Sequence, residues 1–233
     1  MKKLLSCLTG VLLALSVALV ALAAPLYIAG TNAGWMHGML LRHAPEEATG
    51  LPESEYQPVA QMITSFLAGR TDEFQHTFTA KDGVTYFCFD THEQAHMADC
   101  AGLFRLCRTV LIVSTGVLLC AAGAAVWQKR ALQRILAAAL WTFAALIFAI
   151  VLIAVWAMID FDALFILFHQ ISFTNDLWLL NPATDLLIRL MPTSFFMEYA
   201  AICGGSWLLI CTGCAAAAIM LRRKFPPDTN RGT

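Results

Sequence analysis

Six histidines, at 37, 43, 76, 92, 96 and 169, are spread along a chain of 233 residues that is 59% hydrophobic and 13% charged. Two of them lie where their chemistry stands out. His96 belongs to THEQAHMADC, 91–100, in which HEQAH spells H-E-x-x-H. On a helix, His92 and His96 fall one turn apart and could share a zinc ion, with Glu93 beside them as general base. Catalytic zinc needs a third protein ligand. Asp99 is on the same stripe, because offsets of 0, 4 and 7 fall within about 60° of one another; His169 and Asp176 are further candidates. None of the usual third-ligand patterns follows, and the polar region around the motif is small for a metalloprotease domain. His169 sits in FILFHQISF, 165–173, where an ionisable group is costly and needs a partner. An imidazole, with a reference pKa of about 6.5, takes up and releases protons near neutral pH. His37, His43, His76 and His92 read as structural or water-facing.

The elements that must carry these residues are membrane spans. Blocks of about 20 apolar residues cross a bilayer core, and four occur, at 4–24, 109–127, about 135–158 and about 195–221. The first has a Lys-Lys start and an Ala21-Leu-Ala23 that resembles a signal-peptide cleavage site. Its apolar run exceeds the usual h-region and continues past Pro25, so it reads as a span. Lys and Arg concentrate on cytoplasmic flanks. With the N-terminus inside, the inner segments hold nine of the 15 Lys/Arg and one of the 16 Asp/Glu, which gives N-in, C-in. A formal net charge of −1 offers nothing to a nucleic acid. The expected fold is an all-α membrane protein with four transmembrane helices, a small extracytoplasmic α/β cap and an interfacial helical segment between helices three and four.

The expected segments are spans at 1–28, 105–127, 135–158 and 195–222, extracytoplasmic segments at 29–104 and 159–194, a cytoplasmic loop at 128–134 and a tail at 223–233. In the first outer segment, Ser54 with Gln57 fits a capping box. The amphipathic run after it stops at Gly69, a C′ candidate. FQHTFTA and VTYFCF around Lys81-Asp82-Gly83 read as a hairpin. Thr91 with Gln94 offers a second capping box, starting a helix at about His92 that runs into span two. If that helix is straight, His96 stands about 18 Å above Arg108; a bend around Gly102 would lower it. In the second outer segment, Asn181-Pro182 looks like N-cap plus N1 of a short helix ending before Pro192. Cys211-Thr-Gly-Cys214 lies in a small-residue apolar helix and reads as helix packing. Cys88 and Cys100 are outside and free to pair.

Glu93, His96, Met97 and Asp99, followed by Phe168, His169 and Phe173, then Asn175, Asp176 and Trp178, then Pro182, Asp185, Pro192, Phe195 and Phe196, form a combined pattern. It resembles the lipoprotein intramolecular transacylase (Lit) family of four-helix bacterial membrane proteins. The family pattern accounts for Glu93 and His96, so only His92 is extra and the H-E-x-x-H match is coincidental. Cys100 departs from the family, standing where a small aliphatic residue is expected.

The resemblance implies a substrate, a bacterial lipoprotein whose N-terminal Cys carries a diacylglyceryl thioether and a free α-amine. It implies movement of the sn-2 acyl chain from glycerol oxygen to that amine, giving the lyso-form lipoprotein, in the bacterial cytoplasmic membrane with the site on the extracytoplasmic face. No cofactor or metal is called for; the partners are the lipoprotein and membrane lipid. Holding amine and ester together contributes about 7–11 kcal/mol. An α-ammonium with a pKa of about 7.7–8.0 must lose a proton first. His96 and His169 are the expected acid and base, their roles unassigned, with an acyl-imidazole as an alternative to direct transfer. Asp99 and Glu93 would orient an imidazole or bind the ammonium. Asn175 and Asp176 would line the site. Arg105 and Arg108 either reach to lipid headgroups or stabilise developing charge. A zinc-dependent membrane hydrolase using His92, Glu93 and His96, or a non-catalytic four-span scaffold, are the competing readings.

Overall fold

The computed structural model describes residues 1–79 and 83–226. Four of its helices are long and apolar enough to cross a membrane. They are α1 (Lys2–Gly30), α5 (Thr91–Trp127), α6 (Leu132–Ile159, preceded by a 3₁₀ turn at Lys129–Ala131) and α9 (Thr193–Lys224). Their flanks leave large apolar side chains uncovered, including Ile112, Leu119, Trp141, Phe148 and Leu209. Uncovered apolar surface on that scale marks a lipid-facing belt.

The chain divides into two compact units. One comprises Met1–Pro25, Thr109–Val155 and Cys203–Thr233. Its core is small-residue helix packing. Ala14, Ala18 and Ala21 repeat along one stripe of α1 and meet Ala139 and Phe143 of α6 and Trp207 and Cys211 of α9. Small side chains let backbones approach, which is how helices associate without a hydrophobic driving force. At Gly10 the approach is closest, and a Cβ there would collide with the Ile135 carbonyl. Trp207 Nε1 donates to the Ala18 carbonyl at 2.9 Å. Cys211 is part of this core, as the packing reading of Cys211-Thr-Gly-Cys214 requires.

The other unit comprises Leu26–Arg108 and Trp156–Ile202. It holds α2 (Ala33–His43), α3 (Glu46–Thr49), a 3₁₀ turn at Glu53–Glu55, α4 (Tyr56–Leu67), the hairpin β1 (Thr77–Thr79) and β2 (Thr85–Phe87), α7 (Phe161–Ser172) and α8 (Leu186–Leu190). The strands are antiparallel, with Phe78 opposite Tyr86. Met36, Met39 and Leu40 of α2 pack on Val59, Ile63 and Phe66 of α4, and this core continues through Phe89, Met97, Leu187, Leu190 and Phe195.

Several local expectations need correction. Ser54 and Gln57 form no capping box; Ser54 lies in the 3₁₀ turn, and α4 has no side-chain cap. The cap of α5 is one residue earlier than expected. Glu93 N–H donates to Asp90 Oδ1 at 2.8 Å and Asp90 N–H to Glu93 Oε2 at 2.9 Å, the reciprocal pair of a capping box. Asn181-Pro182 opens a turn instead of a helix, with Asn181 Oδ1 accepting from Ala183 N–H; α8 begins only after Asp185. The helix α2, capped by Asn32 Oδ1 on Trp35 N–H at 2.8 Å, was not foreseen. Gly69 is in the left-handed region, and the bonds Gly69 N–H to Phe66 O and Arg70 N–H to Ser65 O close α4 as a Schellman motif. The hairpin turn residues Lys81 and Asp82 lie outside the described residues. All eight cysteines are free, so Cys88 and Cys100 are not bridged.

Candidate active site

α5 is one unbroken helix through Gly102. Its 37 residues run about 55 Å, against about 30 Å of hydrocarbon, so the stretch from Thr91 past Asp99 extends beyond the span. That stretch carries Glu93, His96, Asp99 and Cys100 along one side. α7 meets it with His169. The two imidazole rings lie 6.1 Å apart, centroid to centroid, and each residue is only 7% exposed. Aromatic rings enclose them. Phe173 stands edge-on to His96 at 5.3 Å, while Phe165, Phe168 and Trp178 surround His169 at 4.3, 5.3 and 5.1 Å.

The four ring nitrogens differ in what they touch. His169 Nδ1 donates to the Phe165 carbonyl at 2.7 Å, which leaves the lone pair of the neutral ring on Nε2. His96 Nε2 lies 3.6 Å from Cys100 Sγ. His96 Nδ1 is buried and has no hydrogen-bond partner among the described residues. Burial pushes the Cys100 thiol up to about 12, helped by the Asp99 charge, so it keeps its proton. Burial, then repulsion from His169, lowers His96 to about 4 against the pull of Asp99. Burial also lowers His169, opposed by its bond to the Phe165 carbonyl. Both rings are therefore neutral at pH 7.

The remaining candidates are employed differently. Glu93 is buried, and both its oxygens accept backbone N–H groups, Oε1 from Leu187 at 2.7 Å and Oε2 from Asp90. Burial raises its pKa in spite of those bonds. It clamps the start of α5 to α8. Asp99 accepts from Asn175 Nδ2 at 2.9 Å, and Asn175 Oδ1 accepts from Leu177 N–H, so this pair ties the chain after α7 to α5. Asp176 is exposed, its carbonyl accepting from Leu179 N–H. Arg105 and Arg108 are exposed and stand about 13 and 18 Å further along α5 than His96. No three His, Cys, Asp or Glu side chains among the described residues converge as a metal site. With both Glu93 oxygens engaged, the base that a zinc hydrolase would need is not free.

A second polar cluster forms around His43, which the sequence alone marks only as structural or water-facing. His43, at the end of α2, bonds Glu198 Oε2 through Nε2 at 2.6 Å and Ser194 Oγ through Nδ1 at 3.1 Å, and Arg42 reaches Glu198 Oε1 at 2.7 Å. The only sequence signal was a carboxylate, Glu198, in an apolar span. His76 pairs with Glu55 at 2.8 Å.

The sequence matches the family model for the lipoprotein intramolecular transacylase Lit over residues 4–196. Comparison with curated proteins gives no match. The fold is similar to an in meso structure of the membrane-integral lipoprotein intramolecular transacylase Lit from Bacillus cereus. That similarity has a TM-score of 0.70 at 18% identity, over 94% of this chain and 95% of that one. Two structures of the same Bacillus cereus protein, one with a histidine-to-arginine mutation and one with a histidine-to-alanine mutation, both match with a TM-score of 0.65 at 18% identity. They cover 96% of this chain and 92% and 94% of theirs. With its family model spanning well over half the chain, the protein belongs to the lipoprotein intramolecular transacylase Lit family and is a multi-pass membrane acyltransferase that carries out intramolecular acyl transfer on lipoproteins.

Proposed function

We propose that His169 is the base and His96 the electrophilic hydrogen-bond donor for transfer of the sn-2 acyl chain of a diacylglyceryl lipoprotein to the α-amine of its N-terminal cysteine. The observation that carries this reading is the complementary state of two facing imidazoles. One has a bare Nε2 and the other a buried Nδ1 with no partner. If the Cys100 thiol donates to His96 Nε2, the His96 proton sits on Nδ1, directed at whatever fills the space beside it.

The amine attacks the ester carbonyl, and the C–N bond forms as the carbonyl oxygen takes the negative charge. His96 Nδ1–H bonds that oxygen, which a neutral imidazole does without giving up its proton. His169 Nε2 accepts a proton from the attacking nitrogen and delivers it to the glycerol oxygen as the C–O bond breaks. Amine and ester belong to one molecule, so no nucleophile on the protein is required. Glu93, Asp99 and Asn175 hold the elements that carry the rings. Phe165, Phe168, Phe173 and Trp178 exclude water and offer acyl chains an apolar wall. The site faces the extracytoplasmic side of a bacterial cytoplasmic membrane, with both termini inside, a reading that the distribution of Lys and Arg supports.

Mass spectrometry of a lipoprotein N-terminus from cells with and without the protein tests the reaction. The expected product keeps the mass of its diacylglyceryl precursor but carries an N-acyl group and a single glycerol ester. His169→Ala and His96→Ala should each remove it while the protein stays in the membrane; unchanged product in either would refute the assignment.

A further inference from the structure

The cluster at the start of α9 has the connectivity of an acyl-transfer centre, and the histidine pair does not use it. Its proton positions follow from chemistry alone. Glu198 is an acceptor when ionised, so the 2.6 Å contact is His43 Nε2–H donating to Oε2. The neutral ring then carries its lone pair on Nδ1, and the 3.1 Å contact is Ser194 O–H donating to Nδ1. Carboxylate, imidazole and hydroxyl therefore stand in the order that makes serine a nucleophile: base on nucleophile, orienting carboxylate on base. The ring nitrogens exchange the parts they play in the familiar serine-protease triad. Arg42 holds the far oxygen of Glu198, and the His43 ring stands edge-on to Phe195 at 6.2 Å, which fixes its plane.

Two features say what such a serine would meet. Ser194 is exposed in the first turn of a 32-residue helix, where N–H groups have no intrahelical partner. Phe195 N–H is taken by the Pro192 carbonyl, while the N–H groups of Thr193 and Ser194 have no hydrogen bond found among the described residues. They are available to a developing oxyanion. The apolar block of α9 begins at about residue 195, two residues into the helix, so this first turn lies at a membrane face whichever way the chain is threaded. Trp35, 5.0 Å from Tyr199 and 6.2 Å from Phe195, supplies the aromatic belt typical of that depth. At a membrane face the acyl esters within reach are those of glycerolipids.

We propose that Ser194, His43 and Glu198 form a second catalytic centre, a serine esterase site that hydrolyses acyl esters of glycerolipids. Ser194 Oγ adds to the ester carbonyl as its proton passes to His43 Nδ1. The C–O bond to glycerol breaks, the leaving oxygen takes that proton, and the acyl group stays on Ser194. Water then attacks the acyl-serine, His43 takes the water proton and returns it to Oγ, and a fatty acid departs. Ester and water become acid and alcohol, with no further reactant.

The full chain in detergent should react with a fluorophosphonate probe, and peptide mass mapping should place the adduct on Ser194. Labelling should vanish in Ser194→Ala and fall at least tenfold in Glu198→Gln, which keeps the side-chain shape. Hydrolysis of a short-chain diacylglycerol in mixed micelles should follow the same pattern. Ser194→Ala should still form lyso-lipoprotein, which shows that it folds; His96→Ala should lose that product and keep the label. A probe that labels nothing, labels another residue, or labels Ser194→Ala equally well overturns the proposal.

Discussion

At the scale of single residues, the two central histidines are distinguished by their hydrogen bonds more than by their positions. His169 spends Nδ1–H on the Phe165 carbonyl, whereas His96 holds its Nδ1 in a buried space with no partner. A base and a donor respond differently to glutamine, whose amide donates but takes up no proton. His169→Gln should be as inactive as His169→Ala, a loss of roughly 10²–10⁴. His96→Gln should recover part of the roughly 10²–10³ lost in His96→Ala. Single-turnover rates on a synthetic diacylglyceryl lipopeptide decide the matter, and equal inactivity of the two His96 variants would sink the donor role. The pH profile gives an independent reading. Burial lowers both histidines, His96 to about 4, so each gains its proton below the ordinary imidazole value. The group that titrates nearer neutrality is the substrate α-ammonium, at about 7.7–8.0. kcat/KM should therefore climb about tenfold per pH unit up to about 7.5 and flatten above 8, without an inflection at 6.5. An inflection there would mean that one imidazole titrates as if exposed.

The elements around the pair are held by polar groups whose partners are remote in sequence. Glu93 shows why this was only half legible. The motif identified it as a candidate acid, base or ligand, and the local pattern put a capping box one residue away, at Thr91 and Gln94. In fact Glu93 caps its own helix with Asp90, and its second oxygen reaches Leu187 N–H, 94 positions along the chain. The cap was missed because Asp90-x-x-Glu93 and Thr91-x-x-Gln94 satisfy the same rule one residue apart. The Leu187 bond leaves no local trace at all. Likewise α2 lacked a long periodic stretch, although Asn32 before Met36, Met39 and Leu40 has the spacing of a cap followed by one buried face. If Glu93 is a clamp, Glu93→Ala strands two backbone N–H groups, each costing roughly 1–3 kcal/mol. Its Tm should fall by several degrees, and Glu93→Gln, with one acceptor oxygen, should lie between. A Glu93→Ala variant with unchanged Tm and no activity would instead return Glu93 to the chemistry.

For the whole molecule, apolar length and charge carry nearly all the legible information, because lipid imposes simple rules on composition. The four long blocks became α1, α5, α6 and α9. The blocks did not reveal how far helices continue past them; α5 begins eighteen residues before its apolar stretch at Thr109, and that overhang carries His96. The N-in, C-in threading proposed above rests on charge. The ends and the loop at 128–134 gather nine of the 15 Lys and Arg, including Arg222, Arg223 and Lys224 at the end of α9, while the segments holding all six histidines gather fourteen of the 16 acids, with Glu198 at their rim. The bias is set by cations close to short loops, and here it points the same way at three separate places. A green fluorescent protein fused after Thr233 should fluoresce, since that protein folds in the cytoplasm. Alkaline phosphatase, active only after export, should be inactive at that point and active when inserted near Gly50. Activity of the phosphatase at the C-terminus would put the histidine pair on the cytoplasmic side. A lipoprotein N-terminus displayed on the opposite face could not then reach it, and the proposed substrate would have to be abandoned along with the orientation.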